Sequence, residues 1–268
     1  MQKPKIALTI AGTDPSGGAG VMADLKSFHA CGVYGMAAVT SIVAQNSLGV
    51  QHIHNLNPDW LEEQLESVFN DESPHALKTG MIPTPDMMIL IENYLKKVDI
   101  PYVIDPVMVA KSGDTLMENE VRQRLKETLL PYADVATPNV PEVEEIVGIK
   151  LDSVAQIDKA GKFFINDIGA KGVVIKGGHL EGDATDYLFT RKGRYVFQSE
   201  RYSTEHTHGT GCTFSAVITA ELAKGRSVYD AVAKAKSFIS LAIKHTPEIG
   251  QGRGPVNHFA YQTLKGWD

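Results

Sequence analysis

With 268 residues, 43% of them hydrophobic, the chain is long enough to bury a substantial core without disulfide or metal staples. Two cysteines, Cys31 and Cys212, exclude a disulfide framework and point to a reducing setting, and a net charge of −6 with both signs interspersed excludes a basic face for nucleic acid. No apolar stretch approaches the roughly 20 residues needed to cross a bilayer; the short run behind Lys3 and Lys5 breaks at Gly12-Thr13-Asp14-Pro15 without a convincing cleavage site, so it is expected to be a first strand of a cytoplasmic protein.

In chain order, the pattern predicts a strand at 6–11, a helix at 21–30, an apolar run at 37–43, a helix at 59–69 and a strand-like run at 76–82. A helix at 85–97, a strand at 102–107, a helix at 118–130, a strand near 134–137, helices around 140–147 and 154–168 and a buried strand at 172–175 continue the alternation. Such alternation argues for an α/β fold with a largely parallel sheet and helices on both faces. Runs at 185–189 and 194–198, separated by Thr190-Arg191-Lys192-Gly193, predict an antiparallel hairpin and hence a mixed sheet edge. Helices at 213–224 and 228–244 lead into a glycine-rich tail, and no repeat or linker interrupts the pattern, so a single domain over 1–268 is expected.

The segment His206-Thr207-His208-Gly209-Thr210-Gly211-Cys212 carries the sharpest chemical signal. Two glycines let the backbone approach a ligand, and the free N–H groups of the helix that follows suit a phosphate or oxyanion. Cys212 then stands at the positive end of that helix, where a thiol pKa can fall and the residue can serve as base or nucleophile; a small buried cysteine on a packing helix is the alternative. His206 and His208 have no zinc-ligand spacing and are expected to shape the loop. A second glycine loop at 12–20 fits neither a Walker loop nor a dinucleotide fingerprint, so it either permits strand–helix packing or contacts a ligand; Asp24, one turn into the next helix, favours the latter.

Ligands of open parallel sheets bind outside the carboxyl ends of the strands, and there the sequence repeatedly places polar groups: Asp105, Asn139 and Lys176-Gly177-Gly178. Each alone reads more readily as a turn residue, and it is their coincidence that points to a ligand. Glu142, three residues after Asn139, is either a dipole-complementing residue of a proline-initiated helix or part of an oxygen-ligand set for Mg²⁺ at a phosphoryl-transfer site. Lys176 is either a snorkelling lysine or a counter-charge for phosphate.

As an ordered set, Gly12–Gly20, Ala23-Asp24-Leu25-Lys26, Val43-Ala44-Gln45-Asn46, Lys78-Thr79-Gly80-Met81, Asp105-Pro106-Val107-Met108, Thr137-Pro138-Asn139 with Glu142, Lys176-Gly177-Gly178-His179 and Thr207–Cys212 resemble the ribokinase-like superfamily, and within it the bacterial hydroxymethylpyrimidine and hydroxymethylpyrimidine phosphate kinases of thiamine biosynthesis. The resemblance spans nearly the whole chain. It implies a three-layer α/β/α sandwich, a homodimer, ATP with Mg²⁺, and phosphoryl transfer to a pyrimidine alcohol and then to its monophosphate. By position it implies an anion hole at Gly209, Thr210 and Gly211, with Cys212 where most of the superfamily has an aspartate base. Lys176, Asp105, Asn139 and Thr207 fall on the nucleotide side, Asn139, Glu142 and Asp105 around the metal, and Gly12, Ala19, Asp24, Gln45, Met81 and Val107 around the pyrimidine. Gln45 offers donor and acceptor together, matching an aminopyrimidine edge. The related pyridoxal kinases share the scaffold; their dual-cysteine form carries a second cysteine where this chain has Ala110, which favours the pyrimidine enzyme.

Overall fold

The computed structural model describes residues 3–108, 119–177 and 182–265. Ala110, Gly178 and His179 lie outside the described residues. Eight strands form the main sheet, ordered β10-β9-β8-β7-β6-β5-β1-β2: β1 (Ile6–Ala11), β2 (Tyr34–Val39), β5 (Ala76–Thr79), β6 (Tyr102–Ile104), β7 (Val135–Ala136), β8 (Gly172–Lys176), β9 (Ala184–Thr190) and β10 (Gly193–Ser199). Pairing is parallel from β2 to β8 and antiparallel at β8–β9–β10, so the expected mixed edge is present.

Side chains alternate across the sheet and fill two cores. Leu8, Ile10, Ile104, Val173 and Ile175 face α2 (Pro58–Asp71), α3 (Pro85–Leu95), α4 (Asn119–Thr128), α5 (Val140–Val147) and α6 (Val154–Phe163). Ala7, Val103, Val135 and Val174 face the other layer, made by α1 (Gly20–Ala30), α7 (Thr210–Ala223) and α8 (Val228–Lys244), with the short α9 (Ala260–Lys265) at the end of the chain. The three-layer α/β/α arrangement is therefore built by a period of two in the strands and apolar stripes on the helices.

Differences from the sequence reading include three elements. The run at 37–43 is split at Thr40: its first part completes β2, and the rest begins β3 (Ser41–Asn46), which pairs with β4 (Gly49–Asn55) in a separate two-stranded sheet. Thr40 is where the chain leaves the main sheet, its N–H bonded to Ala11 O at 3.0 Å and its hydroxyl to Met81 O at 2.8 Å. The helix expected over 154–168 is α6 followed by a π-helical turn, Phe164–Ile168, which stops at Gly169 in the left-handed region. Helix α7 starts three residues before the predicted 213 and is buried on every side from Thr213 to Ala223, not along one stripe, because it lies between the sheet and α1 and α8.

Candidate active site

The carboxyl ends of β1, β5, β6, β7 and β8 open on one edge of the sheet, facing the start of α7. Gly209 caps α7 with φ 76, and a Cβ there would stand 1.6 Å from Gly18 O. The two glycine loops thus pack backbone against backbone, and only glycine fits. Thr210 N–H returns to Thr207 O at 3.3 Å and its hydroxyl to the same oxygen at 2.6 Å, while Thr213 N–H closes the first helical turn on Gly209 O. The backbone N–H groups of Gly211 and Cys212 are those the helix geometry leaves for an incoming acceptor.

Beneath them lie the strand-end residues. Lys176 Nζ donates to Asp105 Oδ1 at 3.1 Å, and Thr137 Oγ1 donates to the same oxygen at 3.2 Å. A Cβ on Gly211 would be 3.1 Å from Asp105 Oδ2 and 3.3 Å from Lys176 Nζ, so the helix start, the carboxylate and the ammonium meet at one point. Burial pulls Lys176 downward, but Asp105 and then Glu142 outweigh it and hold the ammonium above its ordinary range. This lysine is a cation at neutral pH, most of its side chain buried beside the anion hole.

Asn139 and Glu142 form a reciprocal cap on α5: Glu142 N–H donates to Asn139 Oδ1 at 2.9 Å and Asn139 N–H to Glu142 Oε2 at 2.8 Å. Burial, against the pull of Lys176 and with the push of Asp105, raises the Glu142 carboxyl to about 7. No group of three or more metal-binding side chains occurs among the described residues. These hard oxygen donors nevertheless suit an ion that keeps several waters and binds substrate phosphates.

Cys212 is only half-buried, yet its thiol is not acidified as the helix position suggested. Burial pushes it up to about 12; Asp24 and Asp105 add to the rise, while Lys78 and the Gly20 N–H, which donates to the sulfur, offset part of it. Two helix starts converge on this sulfur, but desolvation and two carboxylates dominate.

Asp24 is fully buried, accepting from Lys78 Nζ at 2.7 Å and from Thr9 Oγ1 at 2.6 Å, so each of its oxygens already holds a protein donor. Lys78, itself fully buried, is the site residue the sequence reading passed over; Asp24, Cys212 and Asp105 together outweigh the burial that would lower its pKa. The available signal was a lysine inside the apolar run Ala76-Leu77-Lys78-Thr79.

On the other side of the opening the remaining expected positions gather around the 12–20 loop. A Cβ on Gly12 would be 2.8 Å from Met81 Cε and 3.6 Å from Val43 Cγ2, and Gln45 Nε2 donates to Thr13 O at 3.3 Å. Val107 N–H bonds to the backbone carbonyl of Asp105 at 2.8 Å, in the turn that follows β6. Ala19 N–H donates to Asp14 Oδ2 at 2.7 Å, and the same oxygen lies 2.7 Å from His208 Nε2. Burial works to raise Asp14, but hydrogen bonds from His208 and Ser16 outweigh it and hold the carboxyl below its usual range. His208 therefore shapes the loop, as its lack of a metal partner set predicted.

Comparison with known proteins bears on this geometry. The profile of the phosphomethylpyrimidine kinase family matches residues 14–257. A hydroxymethylpyrimidine/phosphomethylpyrimidine kinase of Staphylococcus aureus is 68% identical over 100% of this chain and 98% of its own length. The ADP complex of Bacillus subtilis pyridoxal kinase superposes with a TM-score of 0.90 at 42% identity, covering 97% of this chain and 99% of that one. The pyridoxal complex of the Staphylococcus aureus pyridoxal kinase gives 0.88 at 36% identity, covering 98% and 96%. With a family match over most of its length, the strand-end lysine and carboxylate, and a glycine-opened helix above them, the chain belongs to the phosphomethylpyrimidine kinase family.

Proposed function

We propose that this chain transfers the γ-phosphoryl group of ATP to the hydroxymethyl oxygen of 4-amino-5-hydroxymethyl-2-methylpyrimidine and then phosphorylates the monophosphate, within one domain spanning 1–268. The observation that carries the reading is the convergence of the α7 start, Lys176 and Asp105 at Gly211, a preorganised cradle for charge on a transferring phosphoryl group. Mg²⁺ and ATP supply the phosphoryl group and its charge neutralisation; Asp105, Asn139 and Glu142 are the residues that would hold the ion and its waters, with Lys176 and Thr207 on the nucleotide side. Gly211 and Cys212 N–H groups stabilise the anion. Cys212, once ionised to the thiolate, takes the hydroxyl proton, Gln45 meets the aminopyrimidine edge, and Gly12, Ala19, Met81 and Val107 close around the ring while Asp24 supports the floor through Lys78.

The enzyme acts in the cytoplasm as a homodimer; no helix among the described residues is long and apolar enough to cross a membrane, and Ile42, Leu48 and Ile53 of the β3–β4 hairpin are exposed apolar surface available to a second copy. The pyridoxal kinase likenesses keep pyridoxal as the second reading. Incubation with Mg²⁺, ATP and either alcohol, with products identified by mass, tests the assignment: pyrimidine mono- and diphosphate are expected, and pyridoxal 5′-phosphate as the preferred product without pyrimidine diphosphate overturns it.

A further inference from the structure

The glycine-rich tail takes no part in the chemistry above, yet it is tied to both sides of the site. Between α8 and α9 the chain, over residues 250–256, runs from the turn between β3 and β4 to the 206–208 loop. At one end it hangs on Ser47, in the turn between β3 and β4: the Ser47 hydroxyl accepts from the N–H groups of Gln251 and Gly252, both at 3.1 Å, and the Ser47 carbonyl accepts from Arg253 N–H at 2.8 Å. At the other end Gly254 N–H donates to His206 Nδ1 at 3.0 Å. His208 N–H donates to Gly254 O at 3.0 Å, and Val256 N–H donates to His208 O at 3.2 Å.

Those contacts close a ring. His208 bonds to Asp14, Asp14 accepts from Ala19, and Thr13 in the same loop receives Val43 N–H on its hydroxyl at 2.9 Å and Gln45 Nε2 on its carbonyl. The hairpin that carries Gln45 and the loop that leads into the anion hole are therefore joined twice, once through residues 12–20 and once through the tail. A slack surface tail leaves its N–H groups to water; here those of residues 251–254 and 256 all reach two loops distant in sequence.

We propose that residues 250–255 are a strap that sets the reach between Gln45 and the start of α7, with Ser47 as its positioning residue: through the strap, a side chain remote from the phosphoryl group fixes how far the hydroxymethyl oxygen lies from it. The proposal takes the pyrimidine reading above as its premise. Positional errors of an ångström in reacting atoms lower rate steeply, so a strap of this kind acts on the pyrimidine reaction while leaving nucleotide binding alone.

The test compares full-length wild type with Ser47→Ala, Ser47→Thr, His206→Ala and the Ser47→Ala/His206→Ala double variant. Backbone hydrogen exchange, measured without substrate, is expected to rise about tenfold in Ser47→Ala over both 251–254 and 206–211, the scale of one lost hydrogen bond, with α8 unchanged as the folding control. With saturating MgATP, kcat/KM for hydroxymethylpyrimidine is expected to fall about tenfold while KM for ATP stays within about twofold. Ser47→Thr, which keeps the hydroxyl, restores both, and the double variant is no worse than the poorer single one because both cut the same strap. Unchanged exchange at 206–211 in Ser47→Ala, a KM for ATP raised as much as kcat/KM for hydroxymethylpyrimidine falls, or additive single effects overturn the proposal. If wild type phosphorylates no pyrimidine, the functional reading fails on its own, and the exchange experiment still decides whether the strap joins the two loops.

Discussion

At Cys212 one sulfur is contested by two helix starts, a buried lysine and two carboxylates. The thiol stands at about 12 and is neutral at physiological pH, so it acts as a base only after losing its own proton. Two results follow. Cys212→Ala lowers kcat by about 10²- to 10⁴-fold with much less change in substrate binding; a variant near wild-type kcat makes Cys212 a packing residue. Wild-type kcat rises as pH climbs from 7 toward 10, since the thiolate fraction grows tenfold per unit below the pKa, whereas Cys212→Asp, carrying a carboxylate already ionised, loses that rise. The floor of the site is argued by charge balance. Lys78 and Asp24 are both fully buried and 2.7 Å apart, so Lys78→Met strands a carboxylate and is expected to lower stability by about 3–5 kcal/mol in denaturant melts, with Asp24→Asn in the same chain recovering most of it. An unshifted melt for Lys78→Met alone would sink the ion-pair reading.

At the scale of elements, α5 shows two readings of one residue coexisting. Asn139 and Glu142 do cap the helix reciprocally, so Glu142→Ala costs about 1 kcal/mol of stability whatever else it does. Glu142→Gln keeps an acceptor for Asn139 N–H but removes the charge. If Glu142 organises a metal ion, turnover drops in both variants and extra Mg²⁺ partly restores it; full turnover in the glutamine variant leaves the residue a cap and nothing more. Helix α7 is anchored at its first turn by His258, whose Nε2 lies 3.0 Å from Thr213 Oγ1. Burial, with Lys26 adding, lowers the His258 imidazole to about 4. The unfolded chain therefore binds more protons than the folded one between about pH 6.5 and 4. The stability tied to neutral His258 is complete above that window and is lost as pH falls through it. His258→Asn should show a shallower fall in Tm between pH 7 and 4.5 than wild type; parallel curves would remove His258 from the acid response.

For the whole molecule, substrate choice joins elements from different sheets. Gln45 lies on the detached hairpin, Lys176 at the end of β8, Asp105 just past the end of β6 and Cys212 on α7. Losing a matched buried hydrogen bond typically costs about 1–3 kcal/mol, so Gln45→Met should cut kcat/KM for hydroxymethylpyrimidine and leave pyridoxal turnover equal or improved. Equal losses on both substrates would assign Gln45 to the scaffold, through its bond to Thr13 O, and not to selection. The hairpin itself was only half legible. β3 alternates buried and exposed residues and showed as an apolar run, while β4 is almost wholly exposed, and a strand without a buried face has no period to read.

What the sequence determined by itself was local and periodic: the alternation of strands and helices, the mixed sheet edge, and the polar residues at strand ends, because each follows from burial of one face or from the chemistry of a few adjacent residues. Gly209 and Gly211 were legible for the same reason, as backbone that must be approached closely. Tertiary structure alone decided the electrostatics and the partners. It paired Lys78 with Asp24 in the interior, 2.7 Å apart, and it surrounded Cys212 with burial and carboxylates that reverse the effect of the helix start. It also bound the 250–256 tail to Ser47 and His206, residues some 200 and 50 positions away. Those outcomes depend on which groups the fold brings within a few ångströms and strips of water, and no spacing along the chain encodes that distance.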